Sequence, residues 1–570
     1  MRLVVVGGVA GGMSAAARAR RLDETAEIIV LERGNYVSFA NCGLPYYVGG
    51  EIEQESSLLL HTPQTLREAF NLDVRIGHEV TGIDYAAHEL TVRTPSGEEQ
   101  LSYDALVLSP GGQAINPLPG AEKSPRVHTL RTVDDARALR GYALQGGTAV
   151  VIGGGFIGLE AAEAFMNAGM ETHIVELADH VLPPLERELA NMVELHLMSQ
   201  GMQIHTGVSA TGIADGASSA TVTLSDGAEI KANVVVLAVG VRPDTEVFTA
   251  AGLEHDRGAI ITDAHGRTNQ PDVYAVGDSV LSTAATTGMP AVIALAGPAN
   301  RAGRLIADQI FAPEHARELP PLLGTAIVRA GELTAAITGA NRAQLERAEQ
   351  PFVTIHLHPT QHAGYFPGAS AVDLIVHFDP ETGAILGAQG LGREGVDKRI
   401  DVIATAIRGA LSVQDLIDLD LSYSPPYGSA KDPVNMAGMV GDNVLSGELS
   451  LIYADEIAAL AADPEADTVV LDVRTCGEFE AGHLPGAINI PHTELRGRLD
   501  ELAARAAGRK LAVMCAAGVR SWTGYRIVRA AGYEARMLSG GIKTLVQWFG
   551  AEADQVLVPG SDEGQGVANG

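Results

Sequence analysis

The chain has 570 residues, 46% of them hydrophobic, a formal net charge of −30 and only three cysteines. At roughly 150 residues per domain, this length predicts three or four domains with buried cores. The acidic charge argues against a nucleic-acid partner, because phosphate binding needs clustered Lys and Arg. So few cysteines exclude a disulfide framework and favour the reducing cytoplasm. The apolar run at residues 3–6 is too short to span a membrane, so no membrane partner is expected.

The first predicted element is a dinucleotide-binding unit. A strand at residues 3–6 leads into a glycine-rich loop and an Ala-rich helix, and a second strand at residues 28–31 ends on Glu32. The loop consists of Gly7, Gly8, Val9, Ala10, Gly11 and Gly12. In this order, N–H groups at the helix start hold a pyrophosphate and the carboxylate accepts ribose hydroxyls. Val9 stands at the middle glycine position, so the pattern alone leaves open an ordinary glycine-rich turn.

The second predicted unit repeats this order. A strand at residues 148–152 leads into GGGFIG, with Gly153, Gly155 and Gly158 at the three required places, and the following strand ends on Glu176. Glu176 would repel a 2′-phosphate, and no Arg or Lys lies between it and Arg187, so NADH is favoured over NADPH. A basic residue from a distant loop remains the alternative. Two bound dinucleotides are therefore expected.

These two units, followed by TNQPDVYAVGD at residues 268–278, resemble the flavin-dependent pyridine nucleotide disulfide reductases. The resemblance covers about residues 1–440 and implies FAD in the first unit and NADH in the second. In that family the aspartate of the Gly277–Asp278 pair contacts FAD. The further cofactor contacts that the resemblance implies are Arg33, Ser109, Gly111, Gly240 and Ala296. Ser109 departs from the family's usual residue.

The residues around Cys42 select a branch of this family. Cys42 lies in SFANCGLPY and has no partner cysteine nearby, which excludes an intramolecular redox disulfide. This motif, with YSPPYGSAKDPVN at residues 423–435, resembles coenzyme A disulfide reductases and NADH-dependent persulfide reductases. One cysteine there alternates between a thiolate and a mixed disulfide with CoA. Backbone N–H groups around Gly43 are expected to stabilise the thiolate.

The same resemblance implies a homodimer with a CoA site. Tyr365 and Tyr423 would act at Cys42 of the partner subunit, although Tyr365 alternatively packs within its own loop. The CoA contacts would be Arg18, Arg21, Ser38, Asn41, Asn300 and Lys431. Arg18 and Arg21 lie three apart on one helix face, as a phosphate clamp needs, and a solvated helix face has the same pattern.

A new series of predicted helices and strands begins near residue 450 and indicates a further domain. DVRT at residues 472–475, GHLPGAINIP at residues 482–491 and the glycine pair at residues 540–541 resemble a rhodanese domain. Cys515 ends a predicted strand, and the loop after it offers N–H donors that would stabilise a thiolate and a persulfide. Four residues separate Cys515 from Arg520, which is the rhodanese spacing, whereas related phosphatases use five. Sulfur transfer is therefore favoured.

The predicted fold class is α/β, with two Rossmann-like dinucleotide-binding domains, an α+β dimerisation domain and a C-terminal α/β rhodanese domain. The expected boundaries are 1–115 with 245–320 for FAD, 116–244 for NADH, 321–442 for dimerisation, 450–550 for rhodanese and 551–570 for a disordered tail. No metal site is predicted. His356 and His358 alternate along a strand, as a chelating pair or as a polar strand face.

The resulting hypothesis is a homodimeric flavoenzyme that uses NADH to reduce CoA persulfide, CoA disulfide or polysulfide through Cys42, while Cys515 handles sulfane sulfur. Two alternatives stay open. An NADH oxidase also uses a single cysteine, cycling through a sulfenic acid. A non-catalytic redox sensor or sulfur carrier would not need the second dinucleotide unit.

Overall fold

The computed structural model describes residues 1–118 and 120–559, which form two compact units. The first unit comprises Met1–Asp179 and Gly201–Gly324, and the second comprises His180–Gln200 and the chain from Thr325 onward.

The first unit contains a parallel sheet that carries the first glycine loop. Its strands, in spatial order, are Val273–Ala275, Ala105–Leu108, Arg2–Val6, Glu27–Glu32 and Asp73–Ile76. Leu3 and Val5 pack on the helix side of this sheet. Val4 and Val6 face an antiparallel sheet of Glu79–Asp84, Glu89–Thr94 and Gly97–Ser102. Burial on both faces explains the continuous apolar run of the central strand.

A second parallel sheet in this unit carries the second glycine loop. Its strands are Gln203–His205, Glu171–Val175, Thr148–Ile152, Val234–Leu237 and Val127–His128. A second antiparallel sheet accompanies it, formed by Ala210–Asp215, Ala220–Leu224 and Glu229–Ala232. The principal helices of the unit are Ala10–Leu22, Leu44–Gly49, Pro63–Phe70, Val133–Gln145, Phe156–Asn167 and Ala296–Phe311.

The second unit is built on two five-stranded sheets. The antiparallel one, called the interface sheet below, has the order Ala326–Ala330, Leu333–Gly339, Ile385–Gly392, Val372–Phe378, Val353–Leu357. The parallel one, which lies in the rhodanese-like region, has the order Leu451–Ile452, Ala535–Leu538, Lys510–Met514, Thr468–Asp472, Ile488–Asn489. The principal helices are Arg187–Ser199, Arg342–Arg347, Val396–Arg408, Pro433–Leu445, Ala454–Ala462, Cys476–Glu480, Leu499–Ala506, Val519–Ala530 and Gly541–Phe549.

This architecture confirms the predicted fold class. The helix Arg187–Ser199 belongs to the second unit, although it falls inside the range predicted for the NADH domain. None of the helices described is both long and apolar enough to cross a bilayer.

The prediction of a disordered tail from residue 551 is wrong for its first nine residues. A short helix, Ala553–Val556, is followed by the strand Val558–Pro559, which pairs with Gly482–His483. Val556 and Leu557 pack on the buried core around Leu545, and this burial gives the polar tail its structure. Residues 560–570, which complete the predicted tail, lie outside the described residues.

Candidate functional site

The first glycine loop, residues 7–12, joins the strand Arg2–Val6 to the helix Ala10–Leu22. Gly7 has a φ of +98°, and a Cβ there would lie 2.0 Å from the carbonyl oxygen of Ser109, so only glycine fits. Glu32 accepts hydrogen bonds from the N–H groups of Gly8 at 2.9 Å and Gly34 at 2.8 Å. The Glu32 carboxylate and the helix N-terminus thus lie at the same loop, as dinucleotide binding requires.

The second glycine loop, residues 153–158, repeats this geometry. Glu176 accepts hydrogen bonds from the N–H groups of Gly154 at 2.6 Å and Ala178 at 2.8 Å. A Cβ on Gly158 would lie 1.9 Å from the Gly153 carbonyl oxygen, whereas a Cβ on Gly155 would meet nothing within 4 Å. Gly158 is therefore required by helix packing, and Gly155 leaves open space where a pyrophosphate would approach. The residues of both loops fit the dinucleotides that the sequence predicts.

The remaining cofactor residues lie around the same sheet edges. Ser109 Oγ accepts a hydrogen bond from the N–H group of Gly12 at 3.1 Å, so this departure from the family pattern closes the first loop. Arg33 forms an ion pair with Asp244 at 2.5 Å. Gly111, Gly240 and Gly277 all have positive φ, and Ala296 begins a helix. Their contacts with cofactors stay predictions.

Cys42 lies in a 3-10 turn, Asn41–Gly43, directly before the helix Leu44–Gly49, and it is exposed. Partial burial by the surrounding protein raises the pKa of its thiol, and the negative charges of Glu160 and Asp278 raise it further. The Cys42 backbone N–H has the opposite effect, smaller than that of burial or of Glu160. A backbone N–H thus stabilises the thiolate in the predicted direction, but burial and the charge of Glu160 outweigh it, so the pKa of Cys42 is raised.

Sequence reasoning missed the charged groups that surround Cys42. The Tyr46 hydroxyl donates to Glu160 Oε1 at 3.2 Å and connects the helix after Cys42 to the helix after the second glycine loop. Burial raises the pKa of Asp278, and the charge of Arg131 only partly offsets this. Burial likewise lowers the pKa of Arg131. Two features of the sequence could have pointed to these groups. Tyr46 follows Cys42 by four positions, and Glu160 follows Gly158 of the second glycine loop by two.

The two arginines of the expected phosphate clamp have different partners. Arg18 Nε bonds to Asp308 Oδ1 at 2.6 Å, across the contact between the helices Ala10–Leu22 and Ala296–Phe311. The Arg21 guanidinium lies 5.1 Å from the centre of the Phe70 ring. Arg18 is therefore half-buried and already neutralised by a carboxylate, and a phosphate would have to share it.

The other predicted CoA residues are dispersed over the two units. The Ser38 N–H donates to the Gly8 carbonyl at 2.9 Å, which places Ser38 beside the first glycine loop. Asn41 is exposed next to Cys42, and Asn300 accepts a hydrogen bond from Ser14 at 2.7 Å. Lys431 is exposed in the second unit. Their roles in CoA binding stay predictions.

Tyr365 and Tyr423, which are 58 positions apart, meet in the second unit with their hydroxyls 3.3 Å from each other. They are 77% and 50% exposed, so Tyr365 does not pack within its loop. The hydrogen bond with Tyr423 raises the pKa of Tyr365. Their action at Cys42 of a partner subunit stays a prediction.

The sulfur loop, residues 515–520, connects the strand Lys510–Met514 to the helix Val519–Ala530. Cys515 is buried, and its Sγ accepts a hydrogen bond from the Gly518 N–H at 3.2 Å and lies 3.3 Å from Ser521 Oγ. Gly518 has a φ of +99°, which turns this N–H toward the sulfur. The predicted donor environment is therefore present at Cys515.

Arg520 is held by a partner that the sequence analysis did not identify. Its guanidinium forms two parallel bonds to Glu478, at 2.7 and 2.6 Å. The side-chain hydrogen bonds from Arg520 lower the pKa of Glu478 to about 2. The positive charge beside Cys515 is thus compensated, which differs from the free cation that an anion-binding loop would present.

His356 and His358 form neither a chelating pair nor a solvated strand face. His356 is 6% exposed, and both rings bond to carboxylates and hydroxyls of neighbouring elements. Within residues 1–118 and 120–559, no group of three or more His, Cys, Asp or Glu side chains is arranged to hold a metal ion.

Comparisons with known proteins cover nearly the whole chain. Residues 1–302 match the family model of pyridine nucleotide-disulphide oxidoreductases, residues 325–433 match the dimerisation domain of that family, and residues 453–547 match a rhodanese-like domain. A coenzyme A disulfide reductase from Staphylococcus haemolyticus is 31% identical over 442 residues, which cover 77% of this chain and 98% of the relative.

Two solved structures are similar to this chain over nearly its full length. Reduced CoADR-RHD from Bacillus anthracis is 38% identical with a TM-score of 0.93, covering 98% of this chain and 99% of that one. An NAD-dependent persulfide reductase from A. fulgidus is 35% identical with a TM-score of 0.88, covering 95% of this chain and 100% of that one.

Proposed function

Since this chain belongs to the pyridine nucleotide-disulphide oxidoreductase family, we propose that it uses NADH and FAD to reduce the sulfur–sulfur bond of CoA persulfide, CoA disulfide or polysulfide. One observation carries this proposal. The first unit holds both dinucleotide folds and, by sequence, a single cysteine, Cys42. A thiol without a partner cysteine cannot form an intramolecular redox disulfide, so any disulfide it forms in reducing an S–S bond is with the substrate.

The chemistry of Cys42 follows from its position. Its thiolate attacks the substrate's S–S bond, which breaks as a new S–S bond forms between Cys42 and one half of the substrate, and the other half leaves as a thiolate or hydrosulfide. Bound FAD and NADH supply the two electrons that restore the Cys42 thiolate and release the second half. Burial, followed by the charge of Glu160, raises the pKa of Cys42, which favours the protonated thiol in the free chain.

The rhodanese-like region favours persulfide over CoA disulfide as the substrate. Cys515, with the Gly518 N–H directed at its sulfur, is suited to carry a terminal sulfur as a persulfide anion. Simple reduction of CoA disulfide has no use for such a carrier. We infer that Cys515 takes sulfane sulfur from a donor and passes it to a CoA thiol.

Cofactor choice, assembly and location complete the proposal. Glu176 is placed by two backbone N–H bonds at the end of its strand, where it accepts ribose hydroxyls and repels a 2′-phosphate, so NADH is preferred over NADPH. The exposed tyrosine pair and the match to a dimerisation domain support a homodimer. All three cysteines are free thiols, which fits the cytoplasm.

The test compares Cys42→Ser with the wild type under anaerobic conditions. The variant should bind FAD and show NADH-driven bleaching of the flavin at the wild-type rate, and it should lose at least about 1,000-fold in turnover of CoA persulfide and CoA disulfide, because it lacks the nucleophile. Cys476→Ser is the matched control, since Cys476 is also exposed but lies in the second unit. Substantial S–S reduction by Cys42→Ser would refute the mechanism.

The same assay decides between the alternatives. An NADH oxidase would reoxidise its flavin rapidly with oxygen and slowly with CoA persulfide. A redox sensor would show a single turnover of Cys42 with no steady-state consumption of NADH. Rapid reoxidation by persulfide or CoA disulfide supports the proposed reductase.

A further inference from the structure

Three buried chains of hydrogen bonds in the second unit play no part in the chemistry described so far. Each joins a carboxylate, a histidine and a hydroxyl. They are Glu188–His356–Ser539, Asp373–His358–Thr544 and Glu186–His377–Thr354. The hydroxyls of Ser539 and Thr544 are held by hydrogen bonds to the histidine rings. The chains therefore have the residue types of a hydrolytic triad, but here they join elements of the fold.

Two of the three chains connect the interface sheet to the rhodanese-like region. His356 Nδ1 lies 2.8 Å from Ser539 Oγ, at the end of the strand Ala535–Leu538. His358 Nε2 lies 2.8 Å from Thr544 Oγ1, in the helix Gly541–Phe549. In the third chain the histidine–hydroxyl bond lies within the sheet, because His377 and Thr354 belong to neighbouring strands, and Glu186 precedes the helix Arg187–Ser199.

The His356 chain fixes Ser539 in one orientation. Burial lowers the pKa of His356 in spite of the nearby Glu188 carboxylate, so the ring is neutral and has one N–H. Nε2–H donates to Glu188 at 3.1 Å, which leaves Nδ1 to accept from the Ser539 hydroxyl. The same hydroxyl oxygen accepts from the His356 backbone N–H at 3.1 Å.

The segment that these histidines hold also braces the sulfur loop. The Ile542 N–H donates to the carbonyl of Cys515 at 2.8 Å, and the Lys543 N–H donates to the carbonyl of Ala516 at 3.1 Å. Gly541 allows this approach, because a Cβ there would lie 2.6 Å from the Cys515 carbonyl oxygen. One helical turn thus separates the His358–Thr544 bond from the backbone of the sulfur-carrying residue.

The far end of the same helix is fixed as well. Gln547 donates to Asp373 Oδ2 at 2.7 Å, and Asp373 Oδ1 lies 2.6 Å from His358 Nδ1. Asn191 Nδ2, from the helix Arg187–Ser199, donates to the carbonyls of Gln547 and Trp548 at 3.0 and 2.8 Å. The helix Gly541–Phe549 is therefore held along its length by residues outside the rhodanese-like region.

We propose that His356 and His358 are positioning residues for sulfur transfer. They hold Ser539 and Thr544 so that the first turn of the helix Gly541–Phe549 fixes the backbone of the sulfur loop around Cys515. The proposal rests on the sulfur-carrying role of Cys515 and goes beyond it, because it assigns part of that activity to residues of the dimerisation domain.

The test uses Thr544→Val in the full-length holoenzyme, with thiosulfate as the donor and cyanide as the acceptor. The Cys515 thiolate takes the outer sulfur of thiosulfate and releases sulfite, and cyanide then removes that sulfur as thiocyanate. We expect kcat to fall about tenfold with KM for thiosulfate within about twofold, because a displaced loop loses geometry rather than donor binding. NADH-driven reduction of CoA disulfide should stay at the wild-type rate.

Thr354→Val is the matched control, because it breaks a buried histidine–threonine bond of the same kind that does not reach the sulfur loop. Ser539→Ala and His358→Ala should reproduce the loss, and Ser539→Ala and Thr544→Val decide the matter if His358→Ala fails to fold. Wild-type sulfur transfer in Thr544→Val and Ser539→Ala, or an equal loss in Thr354→Val, would overturn the proposal. Absence of sulfur transfer in the wild-type chain would instead overturn the role of Cys515, and this proposal with it.

Discussion

At the scale of single residues, the charge of Glu160 adds to the effect of burial on the reactivity of Cys42. Glu160 raises the pKa of this thiol by charge repulsion, after the larger effect of burial. Glu160→Gln removes the charge while keeping an acceptor for the Tyr46 hydroxyl, so the pKa of Cys42 should fall. At neutral pH more of the thiol is then ionised, and alkylation of Cys42 by iodoacetamide should become a few fold faster.

The measurement is the pH dependence of Cys42 alkylation, followed by mass spectrometry of the modified peptide. Glu171→Gln is the control, because Glu171 lies at the start of the strand Glu171–Val175. Its charge is not among those that shift the pKa of Cys42. An unchanged profile for Glu160→Gln would mean that burial alone sets the reactivity of Cys42.

The second residue-scale prediction concerns the pair of Arg520 and Glu478. The lowered pKa of Glu478, about 2, keeps its carboxylate charged, so this pair loses its charge only as the pH falls through about 2. Glu478→Gln would leave Arg520 uncompensated beside the sulfur loop. We expect KM for the thiosulfate dianion to fall about threefold, the size of a partly exposed ion pair, with no pH dependence from this pair between pH 6 and 8.

Glu501→Gln provides the comparison for this variant, because Glu501 forms a similar ion pair with Arg498 in the same region. An uncharged organic polysulfide serves as the second donor, and its KM should not respond to Glu478→Gln. A parallel fall of KM for both donors would show a rearranged loop instead of an electrostatic effect.

At the scale of elements, two glycines of the second glycine loop have different roles, one in ligand binding and one in packing. Gly155→Ala should fold normally, because a Cβ there meets nothing within 4 Å and φ is −73°. The methyl group would project into the space left for the pyrophosphate, so KM for NADH should rise about tenfold or more. Gly158→Ala should instead lower the melting temperature, because its Cβ would lie 1.9 Å from the Gly153 carbonyl oxygen.

These outcomes are checked by thermal denaturation and by NADH titration of flavin bleaching on both variants. If Gly155→Ala binds NADH as the wild type does, the nucleotide does not approach this loop, and the assignment of the second sheet to NADH is wrong.

The elements also show how much of the fold could be predicted from the sequence. The strands before both glycine loops, and Glu32 and Glu176 at the ends of the following strands, were predicted because their signals lie within about 30 consecutive residues. The Arg18–Asp308 bond spans 290 positions, and local periodicity contains no information on such partners. The predicted clamp therefore omitted the carboxylate that neutralises it.

The same limit explains the histidines of the interface sheet. Alternation along the strand predicts that His356 and His358 lie on one face. It does not predict their partners Ser539 and Thr544, which follow 183 and 186 positions later in the chain. A strand face that looks polar in isolation is buried when a second polar surface covers it. Burial of polar groups depends on tertiary partners, which the pattern does not specify.

At the scale of the whole molecule, we expect Cys42 and Cys515 to carry out separate reactions. Cys42 lies in the first unit with both dinucleotide folds, and Cys515 lies in the second. Cys515→Ser should therefore abolish sulfur transfer from thiosulfate or polysulfide, by at least about 100-fold, while NADH-driven reduction of a small soluble persulfide stays within about twofold of the wild type.

A truncation after residue 449 should behave differently from Cys515→Ser. It removes Ser539, Thr544 and Gln547, so His356, His358 and Asp373 each lose one hydrogen bond, while the His356–Glu188 and His358–Asp373 bonds remain. Loss of these three bonds costs stability, so the truncated chain should lose reductase activity and melt at a lower temperature. Measuring both activities on both variants separates the chemical role of Cys515 from the structural role of its domain. Equal loss of reduction in Cys515→Ser and in the truncated chain would place the rhodanese cysteine inside the reductive cycle and end the division of labour.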